Sequence, residues 1–175
     1  MDRRDYCPGY TLLELLMVLL IIGTILGLGS GFGDLVDRER QFRNVLDLRR
    51  LLNYARAEAV NLQKPVTLCA LDKQHKCDRD WRGRDVAVFL DVNRNRRLDQ
   101  GEVLRLEHWP ENRGWLSWRA SLRSRHITFR PGGDTAQNGS FLLCRESKTG
   151  EVDTAVVINR GGRNYVREAD GRPCP

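Results

Sequence analysis

Asp91-x-Asn93-x-Asn95, followed by Asp99 and Glu102, sets oxygen ligands at nearly the spacing of a calcium loop, with an acid at the twelfth place. The sixth place, where such a loop turns sharply on glycine, is Arg96, and Arg94 and Arg97 add positive charge where a cation would sit. The run therefore reads as a polar hairpin connector, with calcium binding as the weaker alternative. Four cysteines, Cys69, Cys77, Cys144 and Cys174, lie behind a long apolar run, and Cys7 lies ahead of it. With the first residues removed, the remaining even number suits disulfides in an oxidising compartment. Four cysteines allow three pairings; the local one, Cys69–Cys77 with Cys144–Cys174, is expected because it closes a small loop and pins the C-terminal tail. Zinc is the competing chemistry, but no C-x-x-C pair occurs, and His75, His108 and His126 have no ligand spacing. Neither the histidines nor the serines form a nucleophile and base arrangement, so no enzyme and no cofactor are expected.

The formal charge is +6, and 25 of the 29 basic residues are arginine, which permits nucleic acid, anionic lipid or an acidic protein as partner. The best candidate for DNA lies near the C-terminus. On an extended strand Arg163, Tyr165 and Arg167 share one face, joining phosphate-binding charges to a stackable ring, with Arg160 and Arg172 close in sequence. The alternative is a basic hairpin end that faces solvent or a neighbouring subunit. Trp81, Trp109, Trp115 and Trp118 would serve a stacking platform, although packing in a core or hairpin is the expectation for such aromatics.

These residues need elements to position them. Leu12 to Leu28 holds only apolar residues, Thr and Gly besides Glu14, so one membrane anchor is permitted and a polytopic membrane protein is excluded. An acid inside hydrocarbon costs about 2.5–3.5 kcal/mol at mid-membrane and less near an end, so Glu14 should have a partner. Gly27, Gly29, Gly31 and Gly33 then interrupt the run. From Asp34, a possible cap, Leu35, Phe42, Val45, Leu48, Leu52, Ala55, Ala59 and Leu62 follow helical steps, with Leu46 and Leu51 widening the stripe. Arg40, Arg43 and Arg50 fall opposite, and Arg49 and Arg56 at its flank. After Pro65 short β-branched or aromatic runs predict strands at 66–71, 86–90, 103–106, 127–129, 141–144 and 155–158, divided by turns such as Gly132-Gly133 and Gly161-Gly162. The fold class expected is α+β: a long N-terminal helix packed on a C-terminal antiparallel sheet domain.

The segment Gly9, Tyr10, Thr11, Leu12, Leu13, Glu14, Leu15, Leu16 resembles the class III leader of type IV pilins and type II secretion pseudopilins. The resemblance implies that a prepilin peptidase cuts between Gly9 and Tyr10 and methylates the Tyr10 amine. It also implies that Glu14 pairs with the N-terminus of a neighbour during assembly. The strand region is similar to the GspH/FimT branch of that superfamily, through Val66-Thr67-Leu68-Cys69, Val88-Phe89-Leu90-Asp91, Phe129-Arg130-Pro131-Gly132-Gly133 and Val156-Val157-Ile158 before Gly162-Arg163. The implied organisation is a leader at 1–9, a transmembrane and assembly helix at 10–33, an amphipathic helix at 34–64 and a β-rich domain at 65–175. The implied role is a minor pilin that primes a type IV pilus at or near its tip, anchored once in the inner membrane with a periplasmic domain before entering the fibre. Its partners would be other minor and major pilins or pseudopilins. The alternatives are the H-type minor pseudopilin of type II secretion and a DNA-binding minor pilin for uptake in transformation.

Overall fold

The computed structural model describes residues 10–29, 32–78, 80–109, 115–121, 123–144 and 152–168. It divides into two units, Met1–Glu39 and Arg40–Pro175. In the first unit, helix α1 spans Leu12–Gly29, inside the predicted 10–33 segment and ending among the glycines that interrupt the apolar run. Helix α2, Phe32–Leu62, begins two residues ahead of Asp34 and runs on into the second unit. Its C-terminus is closed by Gln63, which takes a positive φ of 51° while its side-chain amide donates to the Val60 carbonyl (2.7 Å). Pro65 follows and cannot continue the helix.

In the second unit the chain forms two antiparallel sheets. The first contains β1 (Val66–Leu71), β2 (Cys77–Asp78), β3 (Arg84–Leu90), β4 (Val103–Trp109) and β6 (Ile127–Phe129). Its order is β2-β1-β3-β4, and β6 pairs with the start of β1. The second contains β5 (Trp115–Ala120), β7 (Gly139–Cys144), β8 (Val152–Ile158) and β9 (Asn164–Glu168), in the order β5-β7-β8-β9. The six predicted strands are all present. Strands β2, β5 and β9 lie outside those six ranges: β2 has two residues, β5 (WLSWRA) carries Ser117 and Arg119 between its apolar positions, and β9 (NYVRE) is mostly polar.

From Arg40 onward α2 buries Val45, Leu48, Leu51, Leu52, Ala55 and Ala59 in a core shared with both sheets. Strand alternation supplies Leu68 and Ala70 from β1, Val86 and Val88 from β3, Phe141 and Leu143 from β7, and Val156 and Ile158 from β8. Phe141 is the aromatic centre, meeting Trp81 edge-on at 4.8 Å and Trp118 at 4.6 Å between ring centroids. The stripe is shorter than its spacing implies, since Phe42 and Leu62 are exposed and the core begins only at Val45. The opposite face of the first sheet is also covered: Cys69, Leu71, Ala87 and Phe89 pack with Cys77 and Leu98.

Candidate functional site

Helix α1 is built to begin at Thr11 and to expose its apolar surface. The Thr11 Oγ1 accepts the Glu14 N–H at 3.3 Å, a Thr-x-x-Glu start that places Glu14 in the first turn, where the helix dipole favours an acid. This cap is legible in the spacing of Thr11 and Glu14, yet the apolar run alone does not reveal it. Leu12, Leu13, Leu15, Leu16, Met17, Leu19, Leu20 and Ile25 are all more than half exposed, an apolar surface of the kind that marks an interaction site. Tyr10 stands just ahead of it, 85% exposed, while Gly9 lies outside the described residues. Among the described residues no helix is long and apolar enough to cross a membrane.

The candidate calcium loop connects β3 to β4 and is held by its own side chains. Asp99 Oδ2 accepts the amides of Asn95 (2.7 Å) and Asn93 (3.2 Å), and Glu102 Oε2 accepts the Asp99 N–H (3.2 Å). Asp91 is buried beneath the loop and accepts the Thr67 hydroxyl (3.2 Å). Backbone turns at Arg94 and Arg96, with φ of 59° and 57°, replace the glycine turn of a calcium loop. Several of the loop's oxygens are thus engaged within the loop itself, and among the described residues no group of three acids, cysteines or histidines that could hold a metal ion converges.

Cys69 and Cys77 form a disulfide with their Cα atoms 5.4 Å apart, as the local pairing predicts. The loop it closes is tied to the β3–β4 connector: the Cys77 N–H donates to the Arg96 carbonyl (3.1 Å), and the Leu98 N–H to the His75 carbonyl (2.9 Å). Cys144 is disulfide-bonded as well, while Cys174, its expected partner, lies outside the described residues. The three tryptophans whose side chains are described lie in the core and not on a surface platform. Trp81, Trp109 and Trp118 are at most 5% exposed, because the core needs their volume, and of the Trp115 side chain nothing is described.

The basic C-terminal candidates gather at the edge of the second sheet. Asn159 Oδ1 accepts the Arg163 N–H (3.1 Å) in the turn between β8 and β9, which also carries the exposed Arg160. Asn164 points to α2, bonding Asn53 (2.7 Å) and Arg49 (3.0 Å), so alternation sends Tyr165 and Arg167 to the other face. Both are exposed, and their strand neighbours across β8 are Val157 and Ala155. Arg172 lies outside the described residues.

A junction not anticipated from the sequence joins the two glycine turns. Gly133 and Gly162 both take positive φ, 75° and 72°, and the Thr135 N–H donates to the Arg160 carbonyl (2.9 Å). Arg56 of α2 donates its Nε–H to the Gly133 carbonyl (2.8 Å), so this flank arginine ties the helix to the first turn, which the Thr135 to Arg160 bond joins to the second. The paired Gly-Gly dipeptides signal turns, but nothing in their spacing says that the turns meet.

Residues 44–162 match the model of a protein family described as type II transport protein GspH. The chain is also similar to two crystal structures of the type IV minor pilin FimU from Pseudomonas aeruginosa strain PAO1. One match covers 79% of this chain and 94% of that chain at 22% identity with a TM-score of 0.53. The other covers 71% and 94% at 22% identity with a TM-score of 0.49. No curated protein matches the chain.

Proposed function

The chain belongs to the GspH family of the minor pilin and pseudopilin superfamily, and from that premise we propose that it is a minor pilin that primes assembly of a type IV pilus at or near the tip. The observation that carries this reading is α1, an 18-residue helix whose apolar side chains are exposed from Leu12 to Ile25, with a single acid, Glu14, in its first turn. Such a surface requires other apolar partners, and lipid followed by neighbouring helices supplies them in turn. At about 1.5 Å per residue α1 is about 27 Å long, short of a ~30 Å hydrocarbon layer, so an anchor here draws on the residues that flank the helix and leaves Glu14 near one boundary, where a charge is least costly. In the fibre the Glu14 carboxylate pairs with the methylated Tyr10 amine of a neighbour, once prepilin peptidase has cut after Gly9. Pairing two desolvated charges is favourable relative to leaving one alone.

The test follows the chain through processing and assembly. Mass spectrometry of wild-type protein from membranes should give a mature start at methylated Tyr10. Glu14→Leu should be processed and retained in membranes at the wild-type level, yet be depleted about tenfold or more in sheared fibres. Equal incorporation of the leucine variant would remove the pairing argument. The H-type pseudopilin reading keeps the same chemistry and moves it to a secretion fibre; deletion would then abolish protein export and leave pili intact.

A second reading, DNA uptake, is favoured by the exposure of Tyr165 and Arg167 on edge strand β9 next to the Arg160 and Arg163 turn. Contacts there would be to phosphates, hence independent of sequence and steeply weakened by salt. Arg163→Ala with Arg167→Ala should reduce the slope of log affinity against log salt by about two units on labelled duplexes. Identical binding by wild type and double variant excludes this surface.

A further inference from the structure

Two adjoining cavities open where the disulfide loop, the β3–β4 connector and the segment before β6 meet. The larger, about 500 Å³, is lined by Lys76, Arg96, Arg123 and Arg125. The smaller, about 350 Å³, is lined by Arg94, Arg96 and Arg130, and His126 and Gln137 belong to both walls. These volumes fall in the range of small-ligand sites. The acids in these walls, Asp72 and Asp91, are already engaged. Asp72 accepts the backbone N–H groups of Gln74 (2.8 Å) and Lys76 (2.9 Å), and those bonds hold its carboxyl below the usual range. Asp91 is buried on Thr67, and Asp134 pairs with Arg130 at 3.0 Å. Arg96 and Arg125 form no ion pair among the described residues. Concave walls carrying several like charges attract an anion.

His126 narrows the class of anion. The residue is 6% exposed, and its Nδ1 lies 3.1 Å from Ser124 Oγ. The Ser124 hydroxyl donates to the His126 carbonyl (2.9 Å), so its oxygen is left to accept, and Nδ1 carries the ring proton. Nε2 therefore keeps a lone pair, with no partner among the described residues. A ligand suited to this site has anionic oxygens for the arginines and one O–H for the imidazole.

We infer that the cavities bind the terminal phosphate of a small soluble phosphomonoester, with Arg96 and Arg125 on the charged oxygens and His126 Nε2 accepting the P–OH. Near pH 6 about half of such phosphates keep one proton, whereas sulfate and a phosphodiester keep none. The imidazole is neutral there, since burial and the Arg96 charge push its pKa down to about 4. Nucleic-acid backbone, a diester, lacks the required proton, which separates this site from the β9 surface. The Cys69–Cys77 bridge contributes by holding the loop whose Cys77 N–H fixes the Arg96 carbonyl.

The experiment is a calorimetric titration of the detergent-solubilised full chain at pH 6 and low salt with inorganic phosphate, sulfate and dimethyl phosphate. Phosphate should bind at least tenfold more tightly than either of the others. His126→Asn should abolish that preference. Arg125 is exposed, so Arg125→Glu should keep the fold while weakening phosphate tenfold or more, and Arg167→Glu on β9 should change nothing. No binding of phosphate, equal affinity for sulfate, or the same loss from Arg167→Glu as from Arg125→Glu would overturn the assignment.

Discussion

Gly162→Ala is expected to lower the unfolding free energy by about 2–4 kcal/mol, the sum of a strained backbone and a displaced turn. Gly162 has φ of 72°, a conformation that a Cβ disfavours, and the added methyl would overlap the Gly133 carbonyl oxygen. That oxygen cannot retreat freely, because it accepts the Arg56 Nε–H from α2. Relief would require the two glycine turns to separate, loosening the Thr135 to Arg160 bond between them. Gly161→Ala is the control: its φ is ordinary, a Cβ there meets only Asn159 Oδ1 at 3.4 Å, and the cost should stay below about 1 kcal/mol. Urea unfolding of the solubilised chain, followed by fluorescence of the core tryptophans, measures both. Wild-type stability in Gly162→Ala would mean that the junction tolerates a side chain and holds little of the fold together.

The second large effect is acid destabilisation through His126. Burial first, then the Arg96 charge, lowers its pKa to about 4 from the ordinary 6.5, against a smaller opposing pull from Asp91. Arg94, Arg123, Arg125 and Arg130 line the same cavities, with Asp72 and Asp91 the acids among their walls. Because the folded form resists protonation, its stability is full above about pH 6.5. Stability falls as the unfolded chain takes up a proton between there and about pH 4, and levels below it. The shift caps the loss at about 3 kcal/mol, and screening by the open cavities leaves about 1–2 kcal/mol. His126→Asn, whose amide reaches the place of Nδ1, should flatten this part of the stability profile. A variant and wild type that lose stability in parallel from pH 7 to pH 4 would show that other groups govern the acid limb.

Much of this protein is legible along the chain because the relevant forces are local or periodic. Glu14 is isolated within an apolar run, helical steps in α2 mark its buried side from Val45 to Ala59, and β-branched runs mark six strands. Cys69 and Cys77 lie close enough in sequence for loop closure to favour their bond. The α+β class follows from that order of elements.

Contacts between distant segments are a different matter, since neither period nor propensity encodes which turns and loops meet. Arg56 reads as a flank residue on a solvated helix side, yet packing carries it to Gly133, 77 residues away. Trp118 lies on a strand whose polar insertions hide it, and Phe141 draws it into the core. His126 has no ligand spacing in sequence; only the folding of three loops onto one another surrounds it with arginines from remote segments. The tertiary structure decides these features because burial, desolvation and like-charge crowding depend on neighbours in space, and chain separation leaves those neighbours undetermined.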